Sequence, residues 1–344
     1  MSGQGFLLST DSLREYLASR GLAQGGGATL RELGGGVSNI VLLIEWANGP
    51  GRRWVAKQSL GKLRVKDDWR SDRGRIFREA EAMQALHALL GDSVPEVIRI
   101  DRENYLFLMT AAPVGSIAWK DSLLMGDVSL AVAREAGGLL ARLITAAPAG
   151  SAVQGRFEDR TVFDQLRIDP YYRTTAMRSP DVAGELRKLI TDSWEIQTAL
   201  VHGDYSPKNM LVRGDHITLI DFEVVHWGDP AFDSGFLVNH LLLKALHQPQ
   251  FQHLYIEAAR EFWKTLASGL GPAAGSDFER MTTRHLGALM LARIDGKSPV
   301  EYIQDEATKE RVRRSAKRIL LERPERLEEA LGLALEETCR DRQR

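Results

Sequence analysis

The segment at residues 200–233, LVHGDYSPKNMLVRGDHITLIDFEVVHWGDPAFD, determines how the rest of the chain is interpreted. It contains two apolar runs, at residues 210–212 and 217–220, with a short polar turn at residues 213–216 between them. Apolar runs of this length on either side of a glycine-containing turn are typical of a β-hairpin. The segment therefore predicts two short strands that carry polar groups at their outer ends.

Acidic and amide side chains stand at both outer ends of this hairpin. Asp204 and Asn209 precede the first run, and Asp221 and Glu223 follow the second. Because side chains alternate along a strand, Asp221 and Glu223 are expected to share one face and to reach the same metal ion. Phosphoryl transfer needs one carboxylate to orient the attacking hydroxyl and others to hold Mg²⁺, which prefers oxygen ligands. The pattern suits a metal-bound phosphate held against a hydroxyl group.

The order of these groups resembles the catalytic loop of protein-kinase-like enzymes. The triplet HGD at residues 202–204, with Asn209 downstream, resembles the loop that carries the catalytic aspartate, and Asp221 matches the metal-binding aspartate of the D-F-G segment. Glycine stands in the triplet where protein kinases have arginine, and GDPAFD follows at residues 228–233. These two features resemble the branch that phosphorylates small molecules, which includes the aminoglycoside phosphotransferases and the choline kinases.

The resemblance implies an α+β, bilobed protein-kinase-like fold. Residues 1–110 would form a nucleotide-binding lobe with an antiparallel sheet and one main helix. Residues 111–344 would form a larger, mainly helical lobe for catalysis and substrate binding. A hinge is expected at residues 109–115, where backbone groups of Met109 and Ala111 would contact the adenine of ATP.

The resemblance also assigns roles to the residues of the central segment. Asp204 would be the catalytic carboxylate that aligns the acceptor hydroxyl for attack on the γ-phosphate of ATP. Asn209 and Asp221 would bind Mg²⁺. Glu223 has three open roles: a further metal ligand, a substrate contact, or a salt-bridged loop residue.

Three more residues are candidates for support or for substrate binding. His202 would hold the loop through a hydrogen bond between its ring and nearby backbone, because no second histidine follows at the spacing of a metal site. Asp233 would accept hydrogen bonds from the backbone of the same loop. Arg293 would either line the acceptor pocket or be an ordinary charge at the end of a helix.

A glycine-rich connection near the N-terminus is a candidate phosphate-binding loop. Residues 29–33 and 39–46 predict two strands joined by GGGVS. Within that connection, Gly35 and Gly36 would let backbone N–H groups approach the nucleotide phosphates, and Ser38 would add a hydroxyl donor. A plain flexible hairpin turn is the alternative.

A lysine and a glutamate are expected to complete the nucleotide site. Lys57 lies in a V-A-K context on a third predicted strand, which is the setting of the phosphate-contacting lysine in kinase-like folds. The helix predicted at residues 76–90 carries Glu79 and Glu81. We expect Glu79 to pair with Lys57 and to aim it at the phosphates, with Glu81 as the alternative.

Several further stretches are similar to methylthioribose kinases: GGGVSN at residues 34–39, AKQSLGKLRVKDDW at residues 56–69, RIDPYY at residues 167–172 and D-x-E at residues 221–223. Asn209, however, is typical of the aminoglycoside-type enzymes. The paired arginines expected to grip a sugar have no counterpart other than Arg293 or Arg313-Arg314. The acceptor therefore stays open between an aminoglycoside-like compound and a sugar of methylthioribose type. An acidic acceptor pocket would favour a polyamine sugar, and a basic pocket an anionic or neutral sugar.

Composition limits the classes of protein to consider. The 344 residues suffice for about two domains, and the net charge of −1 gives no reason to expect binding to nucleic acid or to a membrane surface. The single cysteine, Cys339, excludes a disulfide within one chain. Neither a signal peptide nor an apolar run of membrane-spanning length is apparent. We expect a cytoplasmic enzyme that uses ATP and Mg²⁺ on a small-molecule hydroxyl; the oligomeric state stays open.

Three other functions use parts of the same pattern. A catalytically silent nucleotide-binding relative would act in interaction or regulation, but Lys57, Asp204, Asn209 and Asp221 occur together, which favours a kinase. A metal-dependent phosphatase would leave Lys57 without a role. A protein kinase would need an A-P-E segment after Asp221, and the chain has none.

Two segments outside the central motif carry expectations about local structure. Residues 157–177 show few regular cues. SPVE at residues 298–301 has capping-box spacing with proline at the favoured first helical position, and it predicts the start of a helix.

Overall fold

The computed structural model describes residues 6–23, 27–34, 39–47, 52–61 and 72–341. The chain forms two compact units, Met1–Ser116 with Ile220–Glu223 and Ile117–Leu219 with Val224–Arg344. The short segment Ile220–Glu223 therefore belongs to the first unit although the residues on both sides of it belong to the second. No helix among the described ranges is both long enough and apolar enough to cross a membrane.

The first unit is built on a five-stranded antiparallel sheet. Its elements are α1 (Thr10–Ser19), β1 (Ala28–Glu32), β2 (Asn39–Trp46), β3 (Arg53–Ser59), α2 (Arg75–Leu90), β4 (Val97–Asp101) and β5 (Leu106–Thr110). The strands lie in the order β1-β2-β3-β5-β4. In β3, Lys57 lies opposite Val41 of β2 and Phe107 of β5, so it occupies the centre of the sheet.

One face of this sheet packs against α1. Apolar side chains of α1, including Leu13 and Leu17, join a buried cluster with alternate residues of the strands, such as Leu42 and Ala56. Because side chains alternate along a strand, Lys57 projects from the opposite face, away from α1. Lys57 therefore lies on the face of the sheet opposite to the apolar cluster that packs against α1.

The second unit is mainly helical. It contains β6 (Ile117–Ala118), α3 (Trp119–Leu124), α4 (Leu130–Thr145), α5 (Ala152–Phe157), α6 (Thr161–Phe163), α7 (Thr174–Arg178), α8 (Ala183–Glu195), β7 (Ala199–Val201), β8 (Met210–Arg213), β9 (His216–Leu219), β10 (His226–Gly228), α9 (Ala231–His247), α10 (Gln252–Leu270), α11 (Ser276–Asp295), α12 (Glu306–Glu322) and α13 (Leu327–Asp341). Strands β6, β8 and β9 form one small sheet, and β7 pairs with β10. The predicted hairpin is confirmed as β8 and β9, which are antiparallel neighbours.

Helix α9 is the central element of this unit. Its residues 231–246 are all buried, and they include the polar side chains of Asp233, His240 and Lys244. Gly235 lets α11 approach closely, because a Cβ at this position would lie 2.9 Å from the carbonyl oxygen of Thr282. A helix enclosed in this way is a rigid base for the loop that precedes it.

Residues 164–173, which carry few regular sequence cues, form a π-helix, Asp164–Arg173. Pro170 lies inside it and has no N–H to donate, which disfavours a regular α-helix at this point. The Tyr172 hydroxyl lies 2.6 Å from Nδ1 of His285, and Nε2 of His285 lies 3.0 Å from Asp229 of the GDPAFD segment. This buried chain of side chains ties the π-helix to α11 and to the start of α9. π-Helical turns are frequent at functional sites.

The helix predicted to start at residues 298–301 is wrong. These residues are not helical, and the next helix, α12, starts at Glu306 with Asp305 as its N-cap, whose side chain accepts from the Thr308 N–H at 2.7 Å. The N–H of Val300 instead donates to the carbonyl of Arg293 at 2.9 Å. This non-local hydrogen bond outweighs the local capping pattern.

The loop that carries the HGD triplet is held by Asp233, in the first turn of α9. The fully buried Asp233 carboxylate accepts hydrogen bonds from the N–H groups of His202, at 2.6 Å, and Gly203, at 2.9 Å. Gly203 has φ +76°, and a Cβ there would lie 2.9 Å from the carbonyl oxygen of Val224. Only glycine fits this backbone without strain, which explains its presence in the triplet.

We predict that Asp233→Ala lowers the free energy of unfolding by about 3 kcal/mol, because it leaves two buried N–H groups without an acceptor. Asp233→Asn keeps one acceptor oxygen and should have a smaller effect. Asp215→Ala, in the exposed turn between β8 and β9, is the matched control and should stay within about 0.5 kcal/mol of wild type. Chemical denaturation measures all three, and equal effects of Asp233→Ala and Asp215→Ala would contradict the assignment.

We also predict a pH dependence that comes from Asp233. Burial raises the pKa of its carboxyl to about 7, although the two N–H donors lower it. The ordinary value is about 4. Between these values the folded protein binds more protons than the unfolded chain, so the free energy of unfolding falls as pH rises through this window. Wild type should therefore lose stability relative to Asp233→Asn from about pH 4 to about pH 7, and parallel pH profiles of the two proteins would refute this.

Candidate active site

In the first unit, one lysine lies between two carboxylates. The ammonium of Lys57 donates to Glu79, from α2, at 2.7 Å and to Asp221 at 2.7 Å. Lys57 and Glu79 are buried, whereas the Asp221 side chain is one quarter exposed. Glu81, the alternative partner, instead receives a hydrogen bond from Arg102. The structure therefore brings together three of the residues singled out in the sequence.

The charges of Asp221 and Glu79 affect the pKa of Lys57, and the charge of Lys57 affects the pKa of Glu79. Burial alone would lower the pKa of Lys57, but the carboxylates of Asp221 and Glu79 outweigh burial and raise this pKa above its usual value. Burial raises the pKa of Glu79 to about 7 despite the neighbouring ammonium, and its Oε2 is buried without a hydrogen-bond partner. Lys57 is thus held as a fixed cation whose partner Asp221 also faces solvent.

The expectation that Asp221 and Glu223 share one face by strand alternation is wrong. Strand β9 ends at Leu219, and Asp221 has φ +72°, which is not an extended conformation. Asp221 pairs with Lys57, whereas Glu223 accepts from Arg75 Nε at 3.1 Å and from Asn39 Nδ2 at 3.3 Å. Of the three roles considered for Glu223, the salt-bridged one is the contact that the structure contains.

A positive φ at a residue other than glycine is strained and tends to occur at functional sites. Among the residues that the structure describes, only Tyr105, Asp221 and Arg323 show it. The conformation of Asp221 is held by its contact with Lys57. The strain coincides with the residue that the sequence assigns to the metal.

In the second unit, the carboxylate of Asp204 faces two cations. It is almost fully buried, and its Oδ2 lies 3.1 Å from Arg167 Nη2 and 2.8 Å from Lys208 Nζ. Arg167, from the π-helix, also donates through Nε to the carbonyl of Gly203 at 2.6 Å. The ring of His202 accepts the N–H of Asp204 at 3.1 Å, which is the backbone contact expected from the sequence. The loop thus presents Asp204 in a defined position.

Asn209 has an orientation compatible with a metal ligand. Its Nδ2 donates to the carbonyl of Asp204 at 2.9 Å, so its Oδ1 points the other way and is the atom left to contact a cation. An amide oxygen here and the partly exposed carboxylate of Asp221 are both donors that Mg²⁺ accepts. No group of three or more His, Cys, Asp and Glu side chains suited to a metal occurs in the part of the chain that the structure describes.

The expected adenine contacts are only partly compatible with the structure. Met109 lies in β5, opposite Val55 and Val97. The N–H of Ala111 donates to the carbonyl of Arg53 at 2.9 Å and is therefore not available to a base, which corrects the expectation for this group. The phosphate-loop candidates Gly35, Gly36 and Ser38 lie outside the described residues.

Arg293 lies at the end of α11 and is partly buried, so it is not a simple exposed charge at a helix terminus. Its guanidinium donates to the hydroxyl of Ser298 at 2.9 Å and to the hydroxyl of Tyr171 at 3.2 Å. Arg313, proposed with Arg314 as an alternative, forms ion pairs with Asp295 and Glu306. Arg313 is therefore already paired with carboxylates of the protein itself.

Three contacts of the site are not predicted by the sequence pattern. The partners of Asp204, Arg167 and Lys208, and the partner of Glu223, Arg75, were given no role from sequence. Lys208 follows Asp204 by four positions, so closeness in the sequence could have suggested it. Arg167 lies in the RIDPYY stretch, but only the tertiary fold brings it to Asp204.

Two solved kinase structures are similar in fold to this chain. Plasmodium vivax ethanolamine kinase superposes with a TM-score of 0.56 at 12% sequence identity, over 90% of this chain and 89% of that one. An ADP-bound aminoglycoside phosphotransferase superposes with a TM-score of 0.51 at 16% identity, over 91% of this chain and 97% of that one. At these identities the likeness shows the fold alone, and it confirms the predicted α+β, protein-kinase-like class.

The comparisons of sequence address the family. Methylthioribose kinase 2 of Oryza sativa subsp. japonica is 26% identical over 248 residues, 64% of this chain and 57% of the relative. Methylthioribose kinase of Escherichia coli O45:K1 is 27% identical over 281 residues, 70% of this chain and 65% of the relative. The chain thus spans less than two thirds of the length of either relative. The model of the phosphotransferase enzyme family matches residues 29–274, which is most of the chain. This protein therefore belongs to the phosphotransferase enzyme family.

Proposed function

We propose that this protein transfers the γ-phosphoryl group of ATP to a hydroxyl group of a small molecule, with Mg²⁺ as the metal. The observation that carries the proposal is the buried Lys57, held at 2.7 Å by both Glu79 and Asp221. A lysine fixed by a helix glutamate is the arrangement that binds nucleotide phosphates in kinases. Family membership, and the presence of Asp204 in the second unit, support the same conclusion.

Each residue has a distinct task in this mechanism. Lys57 contacts the phosphates of the nucleotide and stays charged because two carboxylates raise its pKa. Asp204 accepts a hydrogen bond from the acceptor hydroxyl, aligns its oxygen for in-line attack on the γ-phosphorus, and receives its proton as the new O–P bond forms and the bond from the γ-phosphorus to the leaving ADP breaks. Asn209 and Asp221 would hold Mg²⁺. When bound, this ion neutralises phosphate charge.

The cations around Asp204 hold its carboxylate in position. Arg167 anchors the carboxylate from the π-helix at 3.1 Å and also holds the backbone of Gly203. Lys208, whose side chain is half exposed, is 2.8 Å from the same oxygen and is placed to offset negative charge on the transferred phosphoryl group.

The acceptor is proposed to be sugar-like, because the sequence relatives named above act as methylthioribose kinases. We expect consumption of ATP to depend on an added hydroxyl compound. A panel of 5-methylthioribose, ribose, choline and kanamycin, with and without Mg²⁺, tests this with a coupled ADP assay. Release of phosphate from ATP without any acceptor would indicate a hydrolase. Nucleotide binding with no turnover across a broad panel of alcohols would favour a silent relative.

We predict that Asp204→Asn lowers kcat by about 1,000-fold, because the variant can no longer accept the proton of the acceptor. The affinity for Mg-ADP, measured by calorimetry, should stay close to wild type. Asp215→Asn, an exposed aspartate of the same segment, is the control and should retain full turnover. Equal losses in kcat and nucleotide affinity for Asp204→Asn would assign this residue to the metal instead.

We predict that Glu79→Gln weakens the binding of Mg-ATP by roughly 10-fold or more, because it removes a charged partner that fixes Lys57. Asp221→Ala should weaken it at least as much, since both a lysine partner and a metal ligand are lost. Glu81→Gln, two positions along the same helix but paired with Arg102 at the surface, is the matched control and should bind like wild type. Thermal shifts measured against Mg-ATP concentration decide between these outcomes, and unchanged binding in Asp221→Ala would show that the metal lies elsewhere.

A further inference from the structure

The second unit buries a lysine that has no acidic partner. Lys244 of α9 is 1% exposed. Its Nζ donates to the carbonyl of His240, one turn earlier, at 3.2 Å and lies 5.1 Å from the centre of the Tyr302 ring. No carboxylate among the described residues forms an ion pair with it. A charged group buried in this way is costly unless an opposite charge accompanies it.

The groups around Lys244 are basic rather than acidic. We call Lys244, His240 and Arg293 the basic cluster. Burial, followed by the charges of Lys120 and Arg293, lowers the pKa of Lys244 to about 7. Burial and the same set of cations, with Lys208, lower the pKa of His240 well below its usual value. The one carboxylate that acts on Lys244, Glu301, is already paired with Lys120.

The basic cluster is connected to Asp204 by a row of aromatic rings within the same unit. The guanidinium carbons of Arg167 and Arg293 lie 5.6 Å and 5.7 Å from the ring centre of Tyr171. Arg167 pairs with Asp204. Tyr171 stacks on Phe236 at 6.1 Å, and Phe236 contacts the ring of His240 at 5.2 Å. The cluster is therefore a continuation of the surroundings of Asp204.

Two polar atoms of this region are buried without a partner. They are Nε of Arg293 and the hydroxyl oxygen of Tyr302. Buried polar atoms in folded proteins nearly always have hydrogen-bond partners, so two orphaned donors beside an unpaired ammonium indicate that an acceptor belongs there. An oxyanion that accepts several hydrogen bonds would satisfy these donors.

We propose that the basic cluster of Lys244, His240 and Arg293 binds an acidic group of the acceptor, a carboxylate or a phosphate, while the acceptor hydroxyl meets Asp204. Ammonium and guanidinium donors form their strongest hydrogen bonds with these oxyanions. A neutral sugar would leave Lys244 and Arg293 without an opposite charge, and a polycationic aminoglycoside would add repulsion. This inference rests on the proposed kinase function and narrows its substrate class to anionic alcohols.

The test measures binding of small acids to the full chain saturated with Mg-ADP, so that the nucleotide site is already filled. Ribonate supplies a carboxylate, ribose 5-phosphate supplies a phosphate, and ribose and 5-methylthioribose are the neutral counterparts. We expect at least one acid to bind to wild type at least about 10-fold more tightly than both neutral sugars, as charge-assisted hydrogen bonds imply. The acid that binds identifies the oxyanion.

Lys244→Met should weaken binding of that acid by roughly 30-fold or more, because a buried charge partner is lost. Without the acid, the same variant should melt at a higher temperature than wild type, since a buried unpaired charge is removed. A lysine with only a structural role would instead lower the melting temperature. Lys264→Met, at an exposed position of α10, removes the same charge outside the cluster and should leave acid binding unchanged. Arg293→Gln is the second variant, in case Lys244→Met does not fold.

Three results would overturn the inference: neither acid binds, the neutral sugars bind as tightly as the acids, or Lys244→Met and Arg293→Gln both bind the acid like wild type. Failure of wild type to bind Mg-ADP would be a different result, because it would refute the proposed kinase function rather than the basic cluster. In that case acid binding is measured without nucleotide, and the same variants decide whether the cluster binds an anion.

Discussion

The hydrogen bonds between the buried carboxylate of Asp233 and the N–H groups of His202 and Gly203 are the constraint on which the candidate site depends. Asp233 lies in the first turn of α9, where the helix dipole favours a negative charge. The helix itself is enclosed on all sides, so the carboxylate cannot shift without disturbing the core. Backbone held in this way allows Gly203 to keep its positive φ, and it aims Asp204 at Arg167 and Lys208.

The two units hold their charged groups by the same physical rule. A buried ion must be paired, since removing one partner of a buried pair costs about 3–5 kcal/mol. Lys57 satisfies this rule with Glu79 and Asp221, and Asp204 satisfies it with Arg167 and Lys208. The pairs are asymmetric, however, because in each unit a residue with exposed surface shares the charge with a buried one. Asp221 and Lys208 can therefore exchange their protein partner for a ligand at lower cost than Glu79 or Arg167.

Local sequence was sufficient for the parts of the protein in which chemistry and spacing coincide. The HGD triplet, Asn209 and Asp221 indicated the family, and the apolar runs around residues 213–216 predicted the hairpin. Local sequence failed where distant segments decide the outcome. A hydrogen bond from the N–H of Val300 to the carbonyl of Arg293 outweighs the capping pattern at residues 298–301. The π-helix around Pro170 has no local sequence pattern that predicts it. Arg167 is 36 positions away from Gly203, to which it donates, so no spacing rule could have joined them.

The charged side chains around Lys57 differ in sign from those around Asp204. In the first unit, two carboxylates surround a single lysine, and Glu223 beside them is matched by Arg75. This excess of negative charge suits a bound divalent cation. In the second unit, basic side chains predominate around Asp204 among the described residues: Arg167 and Lys208 pair with it, and Arg293 lies over the Tyr171 ring. Among the described residues, carboxylates thus predominate around Lys57 and basic side chains predominate around Asp204, which agrees with the proposals of a metal–nucleotide complex at the first group and an acidic acceptor at the second.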